Sequence, residues 1–298
     1  MPLDATDSPA AVRTPRLGDA TRLGPVALTV TDLDRSVTWY ADALGLRLHR
    51  REDPVAAMGA GEEDVVVLHE EPGARRAGRH AGLFHVALLY PSRSELARVA
   101  VRLASTRTRA QGASDHGTHE AIYLADPDGN GLELAADRPR EAWPTGALIH
   151  PGGPDPLDLD ALVALTVEEE PRRHAEPGLR VGHVHLHVGD LDAAARFYRD
   201  GLGFDEVTRL PSALFLAAGG YHHHVAVNVW RGRGVPPAPP GVVGLRHWTV
   251  EVDGPEELGH ARERLTSLGV PVEEAEDGLL ARDPSGTAAL VVARAVTA

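Results

Sequence analysis

Internal repetition restricts the fold of this chain more than any other feature. Residues 23–46 (LGPVALTVTDLDRSVTWYADALGL) and 181–204 (VGHVHLHVGDLDAAARFYRDGLGF) align without a gap. They share Gly24/Gly182, Val26/Val184, Leu28/Leu186, Val30/Val188, Asp32/Asp190, Tyr40/Tyr198, Leu44/Leu202 and Gly45/Gly203. A second pair starts at Gly82 (GLFHVALLYPSRSELARVAVRLAS) and Gly244 (GLRHWTVEVDGPEELGHARERLTS), matching His85 with His247, Glu95 with Glu257 and Leu103 with Leu265. Both units of that second pair close on similar segments, LADPDGNGLELA at 124–135 and ARDPSGTAALVV at 281–292. A fixed self-similarity of this kind means a repeated supersecondary unit.

Each unit begins with an alternating apolar strand. An Asp or Ser/Pro turn then starts an amphipathic helix, and further strands follow. Asp32 is placed to cap the first helix and Gly45 to end it, while DPDGNG signals a tight turn between strands. The chain therefore reads as an α+β protein of four βαβββ modules, arranged in two halves at 22–140 and 179–298. A tail over 1–21, read as flexible, precedes them. A linker at 141–178 joins the halves and carries a helical stretch, LDLDALVALTV, expected on the outside. The segment RGRGVPPAPPGVVG, 231–244, reads as a loop between the third and fourth modules.

Charge and composition exclude several partner classes. Acidic residues outnumber basic ones 43 to 30 in 298 residues, a net charge of −13. Nucleic acid and anionic membranes both call for a basic face, so neither is expected. No apolar run approaches the roughly 20 residues of a membrane span, and the N-terminal segment lacks the apolar stretch of a signal peptide. Cysteine is absent, which removes disulfide and thiolate chemistry and makes the cytoplasm the expected location. Histidine, by contrast, is abundant at 16 residues, and imidazole is both the commonest metal ligand and a proton carrier near neutral pH.

The motifs GLFHVALLYPSRSELA, DPDGNGLELAADRPR, GHVHLHVGDL and GGYHHHVAVNVW resemble those of the vicinal-oxygen-chelate superfamily. Within it they resemble the two-domain bacterial catechol-2,3-dioxygenases of the glyoxalase-like branch. The resemblance covers about residues 22 to 292. It implies two glyoxalase-like domains with concave, barrel-like mixed sheets. It further implies an Fe(II) centre (Mn(II) being the lesser alternative), O₂ as co-substrate, a small aromatic diol as substrate, and association of copies into a homo-oligomer.

In such centres two histidines and one carboxylate hold one face of the metal. The resemblance places these ligands on the first strands of two partnered modules and on the last strand of one of them. Module one offers Pro25, which cannot ligate. Module two offers His85 and Glu133, module three His183, and module four His247 with Leu290 where a carboxylate is needed. Only modules two and three complete a triad, so the resemblance implies a centre at His85, Glu133 and His183 spanning both halves of the chain. His185 and His187 share a strand face with His183 and are candidates for contacts around the metal or with the substrate. His247 reads as an ordinary buried or surface histidine.

The run Tyr221-His222-His223-His224 sits in a β pattern. Alternation puts His222 and His224 on one face and His223 on the other, and leaves all three open as an acid–base group. The family places that histidine three residues before a small alanine, which selects His223, ahead of Ala226. His222 and His224 then remain candidates for supporting or substrate contacts. The resemblance also marks Tyr123 and His116 as substrate-side residues, while His119 matches no family position. Two rival functions share this fold. One is a metal-dependent isomerase or lyase of glyoxalase type, which often needs a further carboxylate that HHHVAVNVW does not supply. The other is a metal-free drug-binding protein, which would have no reason to keep the triad.

Overall fold

A computed structural model describes residues 15–146, 148–149, 152–166, 168–170 and 172–294. The first module comprises β1 (Arg22–Val30), α1 (Leu33–Leu44), β2 (Arg47–Glu52), β3 (Val55–Ala60) and β4 (Glu63–Glu70). The second comprises β5 (Gly82–Leu89), α2 (Arg93–Ser105), β6 (Gly112–Asp115), β7 (His119–Ala125) and β8 (Gly131–Asp137). The linker carries β9 (Asp155–Pro156) and α3 (Leu159–Val163). The third module has β10 (Arg180–His187), α4 (Leu191–Ala195), which runs on as a π-helical turn over Arg196–Leu202, and β11 (Asp205–Leu210), β12 (Ala213–Ala217) and β13 (Val225–Asn228). The fourth has β14 (Gly244–Val252), α5 (Gly254–Ser267), β15 (Val272–Ala275), β16 (Gly278–Arg282) and β17 (Ala288–Ala293). The βαβββ plan thus holds in every module.

The helix starts follow from local chemistry. Asp32 accepts from the Arg35 N–H, Ser92 from Glu95, and Asp190 from Asp192 and Ala193, each satisfying backbone donors that a first helical turn leaves free. Gly45 ends α1 in the left-handed region at φ 74°, as a helix C-terminus favours.

The two sheets do not coincide with the two halves of the sequence. One runs β15-β16-β17-β14-β1-β4-β3-β2 and joins modules four and one. The other runs β11-β12-β13-β10-β5-β8-β7-β6-β9 and joins modules three and two. The seams are antiparallel, β1 to β14 and β5 to β10. Both sheets are open, with edge strands rather than a closed barrel. A repeated tyrosine–aspartate bond helps to tie the modules within each half. Tyr40 donates to Asp126 at 3.2 Å and Tyr198 to Asp283 at 2.7 Å, reaching from the helical segment of one module to the turn before the last strand of the next. Those aspartates also gather the backbone N–H groups of their own turns. One continuous apolar core, including Leu28, Tyr40, Leu134, Val184, Tyr198 and Trp248, runs through both sheets and their helices.

Three expectations need correction. Of the tail expected over 1–21, residues 1–14 lie outside the described residues, but 15–21 are anchored at Leu17 and Thr21. Leu17 is buried, its N–H bonds the Gly203 carbonyl, and Arg16 donates to Arg199 and Phe204 carbonyls. The linker does carry a helix, α3, but one of only 5 residues, anchored by buried Leu162, and the segment before it adds β9 to the edge of the second sheet. The histidine run is not within a strand, since β13 begins only at Val225. His224 does bridge its neighbours through its backbone, to Leu216 and Val184, but His222 and His223 occupy a bend. No helix among the described residues is long and apolar enough to cross a membrane.

Candidate metal centre

Sheet register assembles the site. Across β7-β8-β5-β10, Tyr123 pairs with Glu133, Glu133 with Ala87, and Ala87 with His183. One step along the same face, His85 lies opposite His185. The small Ala87 side chain sits between Glu133 and His183 and leaves room for long side chains to converge above it. On the other face Leu132, Leu134, Val184 and Leu186 enter the core, as strand alternation requires. Gly131 lets β8 lie close to β5, because a Cβ there would stand 2.0 Å from the Phe84 carbonyl oxygen.

The convergence is tight. His85 Nε2 lies 3.0 Å from Glu133 Oε2, His183 Nε2 lies 3.2 Å from the same oxygen, and the two histidine nitrogens are 3.3 Å apart. Three donors at right angles around an ion, each about 2.0–2.2 Å from it, stand about 2.8–3.1 Å from one another. The donor set also fits chemically. Glu133 is 1% exposed, and its ion-pair partners among the described residues are three histidines, with no Arg or Lys. A buried carboxylate without a cation is costly, and a divalent ion on Oε2 removes that cost. Burial works to raise the Glu133 carboxyl, but His183, His119 and His85 overcome it and hold the group well below its ordinary range. Burial pushes the His183 imidazole down, keeping it neutral and ready to ligate.

The other carboxylate oxygen is held by a residue that sequence reasoning passed over. His119 Nε2 lies 3.1 Å from Glu133 Oε1, and its Nδ1 accepts from the Thr118 hydroxyl at 2.9 Å. Its ring stacks between those of His116 (4.4 Å, 3°) and His222 (4.6 Å, 13°). The signal is in the spacing: His119 lies four residues before Tyr123, on the same face of β7.

The remaining candidates fall on both sides of a cavity of about 390 Å³. His85, Glu133 and His183 form its polar floor together with His116, His119, Tyr123, His185 and His223. Phe84, Phe215, Trp230, Leu210 and Ile149 supply apolar walls. Tyr123 Oη and His116 Nε2 are 2.6 Å apart. Burial, with Glu133 nearby, raises the Tyr123 hydroxyl so that it stays protonated, while burial beside His119 lowers His116 to about 4. His185 Nε2 accepts from Asn228 Nδ2 at 3.0 Å, an orientation fixed by the Trp230 N–H on Asn228 Oδ1. Burial, reinforced by His183, drives His223 well below its ordinary value.

Three candidates stand outside the cavity. His187 is turned to Asn228 Oδ1 at 2.8 Å. His222 lies behind His223, between His119 and Asp137. His224 accepts from the Ala218 N–H and faces a different cleft. His222 and His224 both pack on the Tyr221 ring, away from the cavity that His223 lines, so the expected division of the three histidines holds although they precede β13. In the other sheet His247 faces Ala27 across the seam, with Leu290 on β17. Among the described residues His247 belongs to no cluster of three donor side chains.

Fold and site together define a class, a four-module protein whose second and third modules bring two histidines and a carboxylate together. Residues 22–134 and 180–288 match the Glyoxalase/Bleomycin resistance protein/Dioxygenase superfamily, and the chain belongs to that superfamily. It is 38% identical over 273 residues to the catechol-2,3-dioxygenase of Bacillus subtilis (strain 168), a match covering 89% of this chain and 94% of that protein. It is also 27% identical over 210 residues to a lactoylglutathione lyase of Oryza sativa subsp. japonica, covering 67% of this chain and 60% of that one. Among solved structures, a candidate dioxygenase from Bacillus subtilis superposes with a TM-score of 0.62 at 14% identity, over 94% of this chain and 86% of that one. Glyoxalase I from Zea mays superposes at 0.58 and 19% identity, over 92% of each chain. These two similarities speak to the fold alone.

Proposed function

We propose that the chain is an extradiol ring-cleaving dioxygenase. On this reading it holds Fe(II) on His85, Glu133 and His183 and converts catechol or a substituted catechol, with O₂, to a 2-hydroxymuconic semialdehyde-type product. The observation that carries the reading is the triad itself: three mutually close donors, buried, at the floor of a cavity whose walls are aromatic and aliphatic. An aromatic diol matches that division, with its ring against Phe84, Phe215 and Trp230 and its hydroxyls toward the polar floor. The similarity to the Bacillus subtilis catechol-2,3-dioxygenase supports the substrate class.

Iron held by His85, Glu133 and His183 would supply the redox chemistry between diol and O₂. The chain's residues do the rest. His119 fixes the Glu133 carboxylate by Oε1, so that Oε2 stays beside His85 and His183. His223 accepts the proton of a diol hydroxyl and returns it later in the reaction. Tyr123, kept protonated, donates toward substrate oxygen with His116 behind it. The apolar walls exclude water from the reacting ring.

The test is anaerobic purification, loading with Fe(II), and addition of catechol and O₂. A yellow ring-fission product is expected. A protein with stoichiometric iron that cleaves none of several catechols overturns the reading. The lyase relatives favour a second function, metal-dependent isomerase or lyase chemistry. Among the described residues lining the cavity, however, Glu133 is the sole carboxylate, which leaves no second acidic ligand for that chemistry.

A further inference from the structure

We propose that Asp137 and His222 act as positioning residues that set the tautomer of His223, keeping its Nε2 as the bare, proton-accepting nitrogen at the substrate cavity. The inference rests on the reading of His223 as the group that takes the substrate proton. It adds two residues outside the cavity and a direction for every hydrogen in the chain between them.

The chain of contacts begins at the end of β8. Asp137 accepts from the Tyr221 hydroxyl, which lies 2.9 and 3.2 Å from its two oxygens. His222 Nε2 lies 3.2 Å from Asp137 Oδ1, and His222 Nδ1 lies 2.8 Å from His223 Nδ1. Rings on several sides hold His222 in this orientation: His119 stacked at 4.6 Å, Tyr221 at 4.0 Å and Trp143 edge-on at 5.4 Å.

Donor and acceptor rules then fix the protons. A carboxylate only accepts, so His222 carries its hydrogen on Nε2. A neutral imidazole has a single N–H, so His222 Nδ1 is an acceptor. The contact of 2.8 Å between the two Nδ1 atoms needs one hydrogen, and His223 must provide it. His223 is therefore the Nδ1–H tautomer, and its Nε2 keeps a lone pair. That nitrogen has no hydrogen-bond partner among the described residues, and His223 lines the cavity. A base needs its lone pair on the substrate side, and an acceptor behind the ring is the general way a protein holds it there. The opposite tautomer would present an N–H to a diol that must give up a proton.

The test uses the full chain labelled with ¹⁵N-histidine and loaded with Zn(II) as a diamagnetic probe. Long-range ¹H–¹⁵N spectra distinguish protonated from bare ring nitrogens, and a His223→Gln spectrum assigns the signals. The expected result is a protonated Nδ1 and a bare Nε2 on His223, with Nε2–H appearing in Asp137→Leu, which removes the acceptor, and in His222→Phe. Asp137 is at the edge of the buried region, so Asp137→Leu serves if His222→Phe fails to fold. In the Fe(II) protein both variants should lose kcat on the order of 10²-fold with KM changed less than about twofold. A His223 that carries its hydrogen on Nε2 in the unmodified chain overturns the inference. So does a tautomer that Asp137→Leu leaves unaltered. If the tautomer is as stated and catechol is not cleaved, the dioxygenase reading fails and the positioning chain stands.

Discussion

Replacing His119 by Phe should weaken metal binding without abolishing it. The side chain lies outside the proposed triad, although with His116 and Glu133 it forms a second close group of donors; it holds Glu133 Oε1 at 3.1 Å while Oε2 faces His85 and His183. Phenylalanine keeps a flat ring between His116 and His222, so stacking survives while the bonds to Glu133 Oε1 and to the Thr118 hydroxyl are lost; of the two, the bond to Glu133 is the one that bears on the metal. A hydrogen bond to a charged group contributes about 1.5–3 kcal/mol. At about 1.4 kcal/mol per tenfold, the dissociation constant should rise about 10- to 150-fold, in the range of other residues that orient a ligand from behind. Anaerobic calorimetric titration with Fe(II), with far-ultraviolet circular dichroism to confirm folding, measures it. Two results would refute the reasoning. An unchanged affinity would mean that Glu133 is positioned without His119. A loss as complete as that of Glu133→Ala would mean that His119 itself ligates.

Ala87→Val should place a branched side chain between Glu133 and His183, destabilise the fold by about 1–3 kcal/mol and remove metal binding; the check is metal content of the folded variant. Tyr198→Phe leaves buried Asp283 short of one donor and should cost about 1–3 kcal/mol, read by urea denaturation, with metal content unchanged. Burial, with His183 next, lowers His224 from an ordinary 6.5 to about 3. The unfolded chain therefore takes up its proton first. Stability from this group is complete above about pH 6.5 and falls as pH drops from there toward 3. Denaturation midpoints of the metal-free protein should fall more steeply between pH 7 and 5 than those of His224→Phe, and equal slopes would count against a buried neutral His224.

Much of the architecture was legible because repetition and alternation are properties of residue order. Tyr40/Tyr198 and the two DP turns stood out as matched pairs, and the structure joins them as the bonds within each half. Pro25 and Leu290 marked modules without ligands, and the sheets pair modules two and three as those losses required. What escaped were features set by contact across strands. Nothing in the order of residues announces Ala87 as the gap that lets donors converge, because its role exists only beside Glu133 and His183. His119 matched no family position, and its role exists only beside Glu133.

One metal centre per chain is proposed, built by the second and third modules across the two halves. Metal content after anaerobic Fe(II) loading tests it most directly. One iron per chain is predicted for the unmodified protein and for His247→Ala, and none for Glu133→Ala. Loss of iron from a folded His247→Ala, or a second iron that survives Glu133→Ala, would contradict it.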